Sequence, residues 1–92
     1  MSEEVETLIT STRPSTHGSF ADNARISQSI KKIMRQEAGW EQLNDEQKEA
    51  LEMVSLKISR ILSGNPYEPD HWLDVQGYAG LAKKSIDIEQ KA

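Results

Sequence analysis

Asn44 to Ser63 reads NDEQKEALEMVSLKISRILS and is followed at once by Gly64-Asn65-Pro66. Asn44 and Gln47 stand three apart, the spacing at which a capping side chain meets a freed amide while the residue three on reaches back. At ~100° per residue, Ala50, Leu51, Val54, Ile58, Ile61 and Leu62 then fall in one broad apolar stripe, with Met53 and Leu56 outside it. The spacing predicts a helix over Asp45 to Ser63. Gly64-Asn65-Pro66 stops it, and Tyr67-Glu68-Pro69 prolongs the turn. A helix with apolar residues on two faces belongs at the centre of a bundle or in an interface.

The flanking segments repeat the helical period. Upstream, Ser19 with Asp22 reads as a helix start, and Ile26, Ile30, Ile33 and Met34 share a stripe within Phe20 to Ala38. Gly39 suits a helix end because it lacks a Cβ. Trp40 and Leu43 fall in the link and are expected to close one end of the core. Downstream, a helix opens near Asp70 and runs to about Gln90, with Trp72, Val75, Ala79, Ala82 and Ile86 as its buried stripe. Gly77 and Gly80 interrupt that helix at a cost of about 1 kcal/mol each, which suggests that a backbone or ligand approaches closely there. No run alternates apolar with polar residues over a strand's length. The expected fold is all-α: three main antiparallel helices in residues 17–92, preceded in residues 1–16 by a short helix (Glu3 to about Ile9) and a Ser/Thr/Pro-rich loop.

Ninety-two residues make one small domain with a thin core. With Val5, Leu8 and Ile9 near the N-terminus and apolar residues on two faces of the central helix, a homo-oligomer is expected, most simply a two-fold dimer. The chain has no cysteine, hence no disulfide and no thiolate metal site. Its apolar runs are only two or three residues long, too short for a membrane span, and its start is acidic where a signal peptide is basic. These features fit a cytoplasmic protein. The 15 Asp+Glu outweigh 11 Lys+Arg, for a net charge of −4, which disfavours nucleic acid as a partner.

Chemistry is thinly marked. Glu49, Met53, Lys57 and Arg60 form one strip on the central helix, able to receive Asp70 or Asp74 from the last helix. Such a seam can be an ion-pair network that orients two helices. It can also be a phosphate or nucleotide pocket, with Lys57 and Arg60 as anion ligands and Trp72 or Tyr78 as stacking surfaces. Glu49 and Glu52 resemble the paired acids that hold magnesium in helical nucleotide pyrophosphohydrolases, but Glu52 falls on a polar side with Lys48 and Ser59. His17 and His71 lack metal-site spacing, and there is neither a P-loop nor a nucleophile elbow. No cofactor or metal is expected, and a binding role is favoured over catalysis.

From His17 to about Ala82 the chain resembles a family of small, functionally unassigned helical proteins of tailed phages and prophages. The resemblance rests on His17-Gly18-Ser19-Phe20 with Asn23, on Glu49-Ala50-Leu51-Glu52-Met53 through Lys57-Ile58-Ser59-Arg60, and on Asp70-His71-Trp72-Leu73-Asp74 followed by Gly77-Tyr78-Ala79. His17 stands where the family more often has Tyr. A weaker likeness ties the Lys57-Ile58-Ser59-Arg60 and Asp74-to-Tyr78 elements to helical domains associated with phage nucleotide modification. The resemblance implies a phage or prophage gene expressed in a bacterial host. It also implies that Asn23, Lys57, Arg60, Asp70, Trp72, Asp74, Gly77 and Tyr78 belong together in space. The expected function is that of a non-enzymatic accessory protein that binds a host or phage macromolecule and modulates host machinery or defence. The alternative is a nucleotide-binding or nucleotide-hydrolysing domain. Its candidate ligand residues are Asn23, Glu49, Lys57, Arg60, Asp70, Trp72, Asp74 and Tyr78.

Overall fold

The computed structural model describes residues 19–91, with side chains through Asp87. The expected short N-terminal helix lies outside the described residues, as do His17 and Gly18. Within them the chain is all-helical, with no strand: α1 (Phe20–Gln36), a short 3-10 helix (Ala38–Gln42), α2 (Asp45–Ser63) and α3 (Pro69–Lys91).

The helix starts follow from side chains that satisfy freed amides. Ser19 accepts from the Asp22 amide. Asn44 accepts from the Gln47 amide at 2.7 Å while Gln47 accepts from the Asn44 amide at 2.8 Å, a complete capping box. The end of α1 differs from the reading of the sequence. The helix stops at Gln36, Glu37 turns extended, and Gly39 sits inside the 3-10 helix instead of terminating α1. That 3-10 turn places Trp40 in a buried position, with the Lys48 ammonium 5.9 Å from its ring centre.

α1 and α3 both pack on α2 and barely meet each other. Each runs antiparallel to α2: Asn23 and Met34 of α1 face Ser63 and Ser55, and Asp74 and Ser85 of α3 face Lys57 and Asn44. Ser59 faces α1 and Lys57 faces α3. Two residues of helix separate them by about 160° around the α2 axis, so the neighbours of α2 lie on nearly opposite sides. The result is a three-helix layer with two seams, not a closed bundle around a central axis.

This arrangement covers the expected core only in part. Trp40 and Ala50 are buried as expected, and Ile26, Ile30, Met34, Val54, Ile58, Ile61 and Val75 are half-buried, but Ile33, Leu51, Leu62 and Trp72 of the expected stripes are exposed. What the seams bury most completely is polar and, apart from His71, small: Asn23, Ser27, Ser55, Ser59, His71 and Ser85. Ser59, expected on a solvated side, is completely enclosed. Small side chains let two helices approach closely, and each serine hydroxyl can return its proton to a carbonyl of its own helix. Ser55 does so to Leu51, Ser59 to Leu56 and Ser85 to Ala82.

Candidate functional site

The two seams divide the candidate residues. On the α1–α2 seam, Asn23 Oδ1 accepts from the Ser63 hydroxyl at 2.8 Å and lies 3.5 Å from that of Ser59. The Ser63 hydroxyl is also 2.7 Å from the Ser59 carbonyl, so its one proton is divided between two acceptors. Asn23 therefore ties the start of α1 to the end of α2, on the side of α2 away from Lys57.

On the α2–α3 seam, Lys57 Nζ meets Asp74 Oδ2 at 2.8 Å, with 12% of the Lys57 side chain exposed against 43% of that of Asp74. The Lys57 hydrogen bond holds the Asp74 carboxyl below its usual range. Partial burial opposes that shift, and the charges of Lys57, His71 and Arg60 add to it. His71 is fully enclosed one turn before Asp74. The sequence strip thus meets its acidic partner through Asp74. Asp70 is exposed in the first turn of α3, and Glu49 is exposed on α2.

Trp72 stands apart from this pair. Its indole N–H donates to the Pro66 carbonyl at 2.8 Å, fastening the 64–68 turn to α3. Tyr78 lines an open groove of about 550 Å³ along α3, together with Leu73, Asp74, Gly77 and Leu81. A side chain at Gly77 or Gly80 would meet nothing within 4 Å, so no backbone among the described residues approaches closely at either glycine.

Among the described residues no three His, Asp or Glu side chains gather as a metal site, and no helix is long and apolar enough to cross a membrane. On the same face as the Lys57–Asp74 pair, Arg35 of α1 bonds Glu52 at 2.6 Å. Glu52, expected on a polar, solvated side of α2, thus faces a cation of α1.

Residues 1–86 match a family described as a domain of unknown function (DUF6378). The chain belongs to that family. The matched span takes in all eight candidate residues, so both seams and the α3 groove fall within the DUF6378 domain. Neither curated proteins nor solved structures give a match to the chain.

Sequence reasoning missed the buried serines. Their signal was present, since Ser55, Ser59 and Ser63 recur at i, i+4 and i+8 and so share one face of α2. It was hidden because a serine stripe carries no apolar contrast.

Proposed function

We propose that this DUF6378 protein is a non-enzymatic binding module, a phage or prophage accessory protein that holds a host or phage macromolecule in the groove along α3. The observation that carries this reading is the groove itself. Leu73 and Leu81 stand exposed on either side of Gly77, one helical turn from each, with Asp74 and Tyr78 along the edge. Exposed apolar side chains beside an open groove with a polar edge are what a macromolecular contact uses. The nucleotide reading has less support, because Lys57, its best-placed phosphate ligand, is already neutralised by Asp74 and largely covered. A phosphate would have to displace that carboxylate.

The test compares wild type with the Leu73→Asp/Leu81→Asp double variant as bait in a bacterial lysate. The expected result is a macromolecule retained by wild type and lost by the variant. In parallel, melting is followed with mono-, di- and triphosphate nucleotides, with and without magnesium. Ligand at about 100 times its dissociation constant adds roughly 2.7 kcal/mol, so binding would be plain. No shift is expected. A nucleotide-dependent rise that the Lys57→Met substitution abolishes would replace the binding-module reading with the nucleotide one.

A further inference from the structure

The three apolar stripes share a face. With α1 and α3 on opposite sides of α2, helical geometry sends Ile26 and Ile33 of α1, Leu51, Ile58 and Leu62 of α2, and Val75 of α3 to the same side of the layer. The charged pairs Arg35–Glu52 and Lys57–Asp74 lie toward the other side. The centre of the apolar side carries no charge. Among the described residues nothing covers it: Ile33 is 63% exposed and Leu62 68%.

We infer that a second copy of this chain covers that face, closing two three-helix layers into one two-fold, six-helix body. Its extent fits such a dimer. A 17-residue helix is about 26 Å long, and three helices side by side at about 9 Å spacing are about 27 Å wide. The face therefore offers roughly 700 Å², close to the ~800 Å² per partner of a stable interface. A two-fold contact puts the same patch on both sides, and an uncharged patch meets its own copy without repulsion even though the chain carries a net charge of −4. Residues 1–18 include few large apolar side chains, Val5, Leu8 and Ile9 among them, too few to cover an area of this size. The inference is independent of the groove, which opens on a different side of α3.

Light scattering on the full chain after size exclusion, from about 1 to 100 µM, tests it. Wild type is expected at twice the 10.4 kDa chain mass. The Ile33→Glu/Leu62→Glu double variant is expected at the single-chain mass, its dimer dissociation constant raised at least about a hundredfold, with its helical circular dichroism intact. Both side chains are already mostly exposed in one chain, so the variant should fold. If it does not, Ile33→Ser with Leu62→Ser carries the same expectation without the charge. Leu81→Glu, on the groove side, should leave the dimer whole. A wild-type monomer across the range overturns the inference, whether residues 1–18 or nothing covers the face. So does a dimer that Leu81→Glu dissociates and the Ile33/Leu62 variants do not.

Discussion

Replacing Asn23 by Ala tests whether hydrogen bonds hold the α1–α2 seam. Asn23 is buried, and its Oδ1 accepts from the Ser63 hydroxyl at 2.8 Å. A full intramolecular hydrogen bond contributes about 1 kcal/mol, but the Ser63 proton is already divided with the Ser59 carbonyl. Removing the amide therefore leaves the Ser63 and Ser59 hydroxyls on their helix carbonyls and loses about 0.5–1 kcal/mol of hydrogen bonding. The hole left by the amide adds a cost on the order of 0.5–1 kcal/mol, and the better helix propensity of Ala returns about 0.5. The net is a loss of about 1 kcal/mol, a fall in melting temperature of roughly 4–8 °C for a domain of this size. Thermal melts followed by circular dichroism measure it, at one protein concentration so that association does not intrude. A double-mutant cycle with Ser63→Ala should show a coupling of about 0.5 kcal/mol. An Asn23→Ala chain that melts at or above the wild-type temperature, with no coupling to Ser63, refutes the polar-seam argument.

Gly77→Ala and Gly80→Ala should each stabilise the chain by about 1 kcal/mol, because both glycines are helix-interior and open to solvent. A drop in melting temperature for either would show that something does pack there. Asp74 links the α2–α3 seam to pH. Its carboxyl is held below the usual range, first by the Lys57 hydrogen bond, so the pair's contribution is complete well above the unfolded carboxyl's value of about 3.9. It disappears as pH falls through the lower folded value. Between about pH 5 and 2 the wild-type melting temperature should therefore fall more steeply than that of Asp74→Asn. Parallel slopes would remove Asp74 from the account.

Much of the helical framework was legible because caps and breakers are local. The Asn44–Gln47 pair and Gly64-Asn65-Pro66 bound α2 as read, and Ser19 caps α1 as read. Gly39 misled. A glycine after an amphipathic run resembles a helix end, but the chain turns extended at Glu37 and rewinds into a 3-10 helix that buries Trp40. The partners of each face were not legible. Periodicity shows which side of a helix is apolar, yet whether that side meets another helix depends on where the neighbours sit. Lys57 was readable as half of an ion pair with Asp70 or Asp74, because opposite charges bordering a seam must pair, and Asp74 is the one it meets. Asn23 entered only through the family motif, and its grouping with Lys57 and Asp74 gives way to a place on the other seam.

The separation of polar seams from an apolar face has a physical logic. Serine and asparagine seams fix how closely and in what register the helices lie, since each hydroxyl and amide has definite partners, but they bury little apolar surface. At roughly 25 cal/mol per Å² of apolar area, the side chains that the layer leaves open, Ile33 and Leu62 above all, hold hydrophobic stabilisation that the single chain does not use. A small chain whose seams specify geometry without supplying much burial gains its largest remaining stabilisation by association. The open face is thus made of part of the expected core stripes. Ile33, Leu51 and Leu62 carry the periodicity of a core, and a core is what they would form in the proposed dimer, with a second layer against them.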